Sequence, residues 1–160
     1  MKTGRPSRLK CFDYLGFHRY FLTFCTDWRR KWFVDSAAVD LVLSQFLRAA
    51  SNEQFAILVY CFMPDHVHLL VEGLAPNSDC KRFIVRSKQL AAHAYGSTFN
   101  ARLWQPNGYE HVVRDDEKTQ VVARYILENP VRAGLVVNPL DYPFSGSQIY
   151  KVADLLSGLY

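Results

Sequence analysis

The chain has 160 residues, of which 49% are hydrophobic and 21% are charged, and this composition is typical of a folded globular protein rather than of a disordered one. A chain of this length most simply forms one domain with its own hydrophobic core. No apolar run reaches the ~18–20 residues that a membrane span requires, so we expect no membrane partner. The formal net charge of +4 permits an anionic partner without requiring one.

The four cysteines are widely spaced and include no Cys-x-x-Cys pair. No signal peptide precedes them, so a disulfide framework is not expected. We therefore expect reduced thiols and a cytoplasmic protein.

The first elements follow a basic N-terminal segment. Residues 1–16 are polar and basic and are predicted to form an arm. Residues 18–26 are rich in aromatic and β-branched side chains, which predicts the first strand. Residues 27–31 form a basic turn, and Asp35 or Ser36 can cap a first helix whose apolar positions recur every three or four residues.

A β-hairpin occupies the middle of the chain. Residues 55–62 form an apolar second strand, and residues 66–72 form a third strand. Only the turn at Pro64-Asp65 separates them, and strands joined so tightly must be antiparallel.

The second half of the chain contains two predicted helices and a short strand. Ser78 or Asp79 can start a second helix that runs to about Tyr95, and residues 103–108 are irregular. Residues 109–113 are predicted to be the fourth strand. Asp115 and Asp116 favour the start of a third helix, which should end near Glu128 because Pro130 disfavours helical geometry at Asn129.

This order of elements predicts an α+β fold of the ferredoxin-like βαββαβ type. We expect a four-stranded antiparallel sheet with two helices on one face, an open opposite face and an additional C-terminal helix that carries Tyr125. Residues 17–145 form the domain, between the arm at 1–16 and a C-terminal extension at 146–160 that packs on the domain or trails from it.

Two histidines in the third strand are the first candidate site. Side chains alternate across a strand, so His66 and His68 project from one face while Val67 and Leu69 line the other. Two imidazoles leave room for one further protein ligand and for substrate oxygens, as in an open catalytic metal site, and Asp65 is adjacent. The bound ion would be Mg²⁺ or Mn²⁺. The alternative is that both histidines are ordinary polar residues of a strand.

Tyr125 and Asn129 form a second candidate site. They are four residues apart on the third helix and so share a face. A helix that directly follows the fourth strand can cross the sheet and bring both side chains near the histidines. The alternative is a tyrosine at the edge of the core and an asparagine that caps the helix before Pro130.

Several segments together resemble a known family. The stretch Tyr60-Cys61-Phe62-Met63-Pro64-Asp65-His66-Val67-His68-Leu69-Leu70 resembles the His-hydrophobic-His motif of single-tyrosine HUH transposases, which include the IS200-like transposases. Leu103-Trp104-Gln105, residues 109–115 and the run Tyr125-Ile126-Leu127-Glu128-Asn129-Pro130-Val131-Arg132-Ala133-Gly134-Leu135-Val136 resemble their REP-associated branch. The resemblance extends from about Phe17 to Phe144, with the motifs in the same order.

This resemblance implies metal-dependent nicking and strand transfer on single-stranded DNA at hairpin-forming repeats. Tyr125 matches the nucleophile that forms a 5′-phosphotyrosine. His66 and His68 match the metal ligands, and Asn129 matches the third ligand, where relatives often have Gln or Glu. Apart from the resemblance, His111 and Tyr109 could support the reaction. His111 is a candidate base for Tyr125, and the alternative is that it is a hydrogen-bonding residue of the fourth strand. Members of the family act as monomers or as homodimers.

A single strand of DNA requires a basic groove and aromatic side chains on which bases stack. Trp104 and Tyr109 could provide the aromatic surfaces, and the N-terminal arm resembles arms that reach DNA bases in relatives. The basic residues that could contact DNA are Arg5, Arg8, Arg30, Arg82, Arg86, Arg114, Arg124 and Arg132.

Two other functions remain open on the sequence. A non-catalytic DNA- or RNA-binding module could use the same fold, although its open sheet face should then carry aromatic residues instead of His66 and His68. A zinc hydrolase could combine the histidines with Cys61 or Cys80, but this reading leaves Tyr125 and the basic patches without a role.

Overall fold

The computed structural model describes residues 12–113 and 116–158, without the side chains of residues 109, 110, 116 and 117. The α+β βαββαβ prediction is confirmed, and each predicted strand and helix is present. The strands are β1 (Arg19–Cys25), β2 (Phe55–Met63), β3 (His66–Gly73), β4 (Tyr109–Val113) and β5 (Ser145–Gly146), and the helices are α1 (Ser36–Glu53), α2 (Cys80–Phe99), α3 (Asp116–Arg132) and α4 (Val152–Ser157).

The strands form one antiparallel sheet in the order β4-β1-β3-β2-β5. The sequence predicts four strands, and the fifth, β5, is a two-residue strand that pairs with Tyr60 and Cys61 of β2. Two residues are too few to produce an alternating pattern, so the sequence could not reveal this strand. A Cβ on Gly146 would lie 2.5 Å from the Tyr60 hydroxyl, so any larger residue there would force the Tyr60 ring to move.

Helices α1 and α2 cover one face of the sheet. The Asp35 carboxylate accepts a hydrogen bond from the Ala38 amide at 3.0 Å and caps α1, and Asp79 caps α2 in the same way. Val67 and Leu69 of β3 are buried in the core beneath these helices, as the alternation predicts. The expected stacking role of Trp104 is wrong, because this side chain is only 6% exposed and packs against Phe24, Phe33 and Phe46.

The opposite face of the sheet is covered over its centre by α3, whereas we expected it to be open. Ala123, Ile126 and Leu127 of α3 are buried in a second core with Leu70 and Cys61 of the sheet. These sheet residues are apolar and share the face of the histidines. Exposing them to water would be unfavourable, so their burial under α3 stabilises the fold.

Helix α3 continues through Pro130 to Arg132, although the sequence predicts that it ends near Glu128. Gly134, which has φ +74° and follows two residues later, stops the helix. The Gly134 amide donates to the Val131 carbonyl and the Leu135 amide donates to the Pro130 carbonyl, which is the Schellman pattern. A proline in the last turn loses one helical hydrogen bond but keeps a helical φ, so the glycine sets the end of the helix.

Both ends of the described chain pack against the domain. The Gly16 amide donates to the Ser78 carbonyl, and Tyr14 is buried, so the described part of the predicted arm (12–16) lies on the fold. Arg5 and Arg8 lie outside the described residues. In the C-terminal extension, α4 packs on α3 and buries Leu155. No helix in the described part of the chain is long and apolar enough to cross a membrane.

Candidate active site

His66 and His68 of β3 are neighbours on one face of the strand, and their rings are in contact. Their Nε2 atoms are 3.1 Å apart, and their ring centroids are 4.6 Å apart. His68 is only 7% exposed, and His66 is partly buried. Both residues lie on the face of the sheet that α3 covers, so this face holds the histidines and the helix that carries Tyr125.

Each histidine is oriented through its Nδ1 atom. Asp65 Oδ1 is 2.7 Å from Nδ1 of His66, and Thr23 Oγ1 is 2.8 Å from Nδ1 of His68. An ionised carboxylate only accepts hydrogen bonds, so His66 carries its proton on Nδ1 and offers the lone pair of Nε2. The Thr23 hydroxyl can donate or accept, so His68 can take either tautomer.

This hydrogen bonding fits a divalent cation between the rings. When His68 Nδ1 donates to Thr23, both Nε2 lone pairs face each other at 3.1 Å and repel unless a cation or a proton lies between them. Two nitrogens bound to one ion at about 2.1 Å can be up to about 4.2 Å apart, so the observed separation is compatible with shared coordination. In metal sites, a carboxylate that accepts a hydrogen bond from the other ring nitrogen commonly orients a metal-bound imidazole, and Asp65 is placed to do this for His66.

Burial keeps both imidazoles neutral near pH 7. It lowers the pKa of His68 to about 3, with further lowering by His66, Arg132 and Arg29. Burial also lowers the pKa of His66, although Asp65 opposes the shift. Neutral imidazoles are the form that binds metals, so no proton has to leave before a cation binds.

Arg29 is a site residue that the sequence pattern indicates only as part of a basic turn. Its Nε atom is 3.0 Å from Asp65 Oδ2, so Asp65 joins Arg29 to His66. Burial alone would raise the pKa of Asp65, but the hydrogen bonds from His66 and Arg29 hold this pKa below its usual value. Arg29 has φ +53°, a conformation that no sequence pattern of this turn indicates.

Helix α3 brings Tyr125 to the histidines across almost sixty residues of sequence. The ring centroid of Tyr125 lies 6.5 Å from that of His68 and 6.1 Å from that of Phe21. The side chain is 48% exposed, so a substrate can reach it. The guanidinium carbon of Arg132 lies 4.2 Å from the Tyr125 ring centroid, and the same guanidinium donates to the Tyr125 carbonyl.

Asn129 lies one turn after Tyr125 on α3 and is partly buried. Within residues 12–113 and 116–158, no three His, Cys, Asp or Glu side chains converge as a metal site. Cys61 contacts Met63, and Cys80 is buried under the other face of the sheet, so the zinc-hydrolase alternative lacks its third ligand in this part of the chain. An amide such as that of Asn129 lies outside this set of ligand types.

The two supporting residues belong to β4. His111 is exposed and pairs in register with Phe21, so it lies on the same face of the sheet as Tyr125. The side chain of Tyr109 lies outside the described residues.

The predicted DNA-contacting arginines are not all close to the site. Arg132 contacts Tyr125, and Arg124 on the same helix is 3.3 Å from Glu128 and donates to the Leu156 carbonyl. Arg30 lies over the ring of Trp32. Arg82 and Arg86 are exposed on α2, on the opposite face of the sheet from Tyr125, and Arg82 pairs with Glu53. Arg114 lies outside the described residues.

Two proteins with related sequences carry the name REP-associated tyrosine transposase. The relative from Escherichia coli K12 is 27% identical over 114 residues, which cover 71% of this chain and 65% of that protein. A Haemophilus influenzae relative assigned to the same group is 27% identical over 140 residues, which cover 79% of this chain and 77% of that protein.

Solved structures show the same fold. The structure of a REP-associated tyrosine transposase bound to a REP hairpin matches with a TM-score of 0.74 and 24% identity, covering 93% of this chain and 86% of that one. A Deinococcus radiodurans crystal structure described as a transposase matches with a TM-score of 0.54 and 26% identity, covering 81% and 97% of the two chains. The family model "Transposase IS200 like" matches residues 17–129, which include the histidines and Tyr125. The chain therefore belongs to the IS200-like transposase family.

Proposed function

We propose that this transposase cleaves and rejoins single-stranded DNA at hairpin-forming repeats through Tyr125. The observation that carries the proposal is the convergence of Tyr125 with His68, whose ring centroids lie 6.5 Å apart although the residues are far apart in sequence. A hydroxyl nucleophile beside a pair of metal-competent imidazoles suits attack on a phosphodiester.

In this reaction Tyr125 Oη forms a bond to a backbone phosphorus as the bond between phosphorus and the 3′-oxygen breaks. The phenol loses its proton and the leaving 3′-oxygen gains one, so the products are a 5′-phosphotyrosine and a free 3′-hydroxyl. The phosphotyrosine keeps the energy of the diester, so a 3′-hydroxyl can reverse the step and join strands without ATP. His111 is the proposed base for Tyr125, since it lies on the same face of the sheet.

A divalent ion, Mg²⁺ or Mn²⁺, would polarise the phosphate and stabilise the charge that develops on the leaving oxygen. His66 and His68 would hold it through their Nε2 atoms, and Asn129 would provide the third ligand. Asp65 and Thr23 support this assignment because they orient the two imidazoles by their other nitrogens.

We infer that the DNA partner contains a hairpin, as in the related structure with a bound REP hairpin. Arg132 lies beside Tyr125, so it is positioned to contact DNA at the reacting centre. Arg82 and Arg86 lie behind the sheet, so they could contact only DNA that extends around the domain. The active form is a monomer or a homodimer.

The decisive experiment is to incubate the protein with end-labelled hairpin DNA carrying single-stranded flanks, with Mn²⁺ or Mg²⁺, and to separate covalent adducts on a denaturing gel. We expect a metal-dependent adduct that disappears in Tyr125→Phe. Tyr150→Phe is the matched control, because Tyr150 is also an exposed tyrosine but lies in the C-terminal segment. An adduct that persists in Tyr125→Phe would contradict the nucleophile, and binding without cleavage of any hairpin would favour the non-catalytic module.

A further inference from the structure

Trp28 is an exposed aromatic side chain on the turn after β1, whose next residue, Arg29, contacts the candidate active site through Asp65. It is 83% exposed, more than any other aromatic residue that the structure describes. Large aromatic side chains are usually buried on most of their surface, and Trp104 and Trp32 follow this rule in the same chain. The exposure of Trp28 therefore calls for a role outside the core.

The backbone holds Trp28 in an unfavourable conformation. Trp28 has φ +54° and Arg29 has φ +53°, a left-handed region that residues with side chains rarely adopt twice in succession. The loop is fixed by Thr26, whose hydroxyl lies 2.6 Å from the Arg30 carbonyl and 3.0 Å from the Asp65 carbonyl. Such a loop presents the indole in a defined position instead of leaving it on a mobile segment.

This loop is linked directly to the histidine pair. Arg29 Nε is 3.0 Å from Asp65 Oδ2, and Asp65 Oδ1 is 2.7 Å from His66 Nδ1. The Thr26 amide also donates to the Asp65 carbonyl at 3.0 Å. Trp28 is therefore attached to the same structural unit that orients a proposed metal ligand.

The charge of the loop indicates the kind of partner. Arg29, Arg30 and Lys31 follow Trp28, and Arg30 and Lys31 are exposed. An exposed indole with adjacent cations is the combination that binds single-stranded nucleic acid, because bases stack on the ring and the cations attract the phosphates. A site for an apolar protein partner would instead have few charged residues around the indole.

We propose that Trp28 is a stacking platform for an unpaired base of the DNA strand that enters the active site. This inference rests on the proposed function for its substrate, and it adds a position that determines how the single-stranded flank is held. Lys31 would contact the backbone phosphate next to the stacked base. Because stacking accepts any base, the platform contributes affinity and register more than sequence preference.

The first test measures DNA affinity in the Tyr125→Phe background, in which no cleavage interferes. The probes are one hairpin with single-stranded flanks and the same hairpin with blunt ends. We expect Trp28→Ala to weaken binding of the flanked hairpin by about tenfold and Trp28→Phe to retain most of the affinity, because a smaller ring still stacks. Binding of the blunt hairpin should not change.

Phe17→Ala is the matched control, because Phe17 is 65% exposed and precedes the opposite end of β1. It should leave both affinities unchanged. Equal loss with flanked and blunt hairpins, or no loss in Trp28→Ala, would overturn the inference.

Fluorescence gives an independent readout that does not depend on the alanine variant. A stacked base quenches an indole, so the flanked strand should quench emission in the wild type and much less in Trp28→Phe. Equal quenching in both proteins would place the base at another tryptophan and overturn the inference. An absent adduct in the wild type would contradict the proposed chemistry, whereas the binding and quenching results judge Trp28 separately.

Discussion

The guanidinium of Arg132 stacks on the ring of Tyr125, with its central carbon 4.2 Å from the ring centroid. The two residues are seven apart on α3, which is about two helical turns, so they share one face of the helix. The same guanidinium donates to the Tyr125 carbonyl and lies 3.8 Å from a Glu128 carboxylate oxygen. Arg132 is thus held against the proposed nucleophile by three contacts.

Replacing Arg132 with alanine should slow adduct formation by about three- to thirtyfold, because it removes a cation from the face of the attacking ring. Arg132→Lys should be intermediate, since an ammonium keeps the charge but loses the planar stack. The measurement is the single-turnover rate at saturating DNA. Arg48→Ala, at an exposed arginine of α1 on the opposite face of the sheet, is the control. An unchanged rate in Arg132→Ala would show that the stack is only structural.

The carboxylate of Asp65 should control metal affinity without binding the metal. Asp65→Asn removes the negative charge that orients and polarises His66, and we expect Mn²⁺ affinity to fall by about ten- to a hundredfold in calorimetric titrations. Glu72→Gln is the control, because Glu72 lies on the same strand and face as His66 but pairs with Arg19. Unchanged affinity in Asp65→Asn would argue against coordination through His66.

Two variants of Asn129 test the third ligand. Asn129→Ala should lower Mn²⁺ affinity by about tenfold or more, and Asn129→Asp should raise Mg²⁺ affinity because a carboxylate is a charged, hard oxygen ligand. Gln120→Ala, an exposed amide on the same helix, is the control. If both Asn129 variants bind metal as the wild type does, the amide is not a ligand and water or substrate completes the site.

Alanine variants of Trp104 and Trp28 should differ in their effect on the stability of the fold. Trp104→Ala should lower the free energy of unfolding by about 3–5 kcal/mol, because it leaves a cavity among Phe24, Phe33 and Phe46. Trp28→Ala should change it by less than about 0.5 kcal/mol, as is usual for an exposed side chain. Urea denaturation measures both, and a large loss in Trp28→Ala would show that its loop is part of the core.

Local signals predicted the elements well because each depends on a few neighbouring residues. Asp35 and Asp79 cap their helices as expected, and the alternation of β3 separates Val67 from His68. The exceptions have local causes of their own. Pro130 predicts an end of α3 near Glu128, but a Schellman motif at Gly134 ends the helix instead, and β5 is too short to leave a pattern.

The position of aromatic and charged side chains was harder to predict. Trp104 and Trp28 both follow a strand or helix in loops, yet one is buried and the other is exposed. A backbone bridge joins Trp104 to Thr26, and the Trp104 ring packs against Phe24 and Phe46 in the core. Such a bridge joins residues far apart in sequence, and no window of neighbouring residues contains it.

The sequence by itself determined the order of strands and helices, the shared face of His66 and His68 and the shared face of Tyr125 and Asn129. Periodicity encodes these features, because side chains return to the same face every 2 residues in a strand and about every 3.6 residues in a helix. Only the tertiary structure decided that α3 lies across the histidine face and that Arg29 and Arg132 complete the site. Those contacts form because the apolar side of α3 is buried on the sheet. The free energy gained by this burial is available only when segments distant in sequence come together.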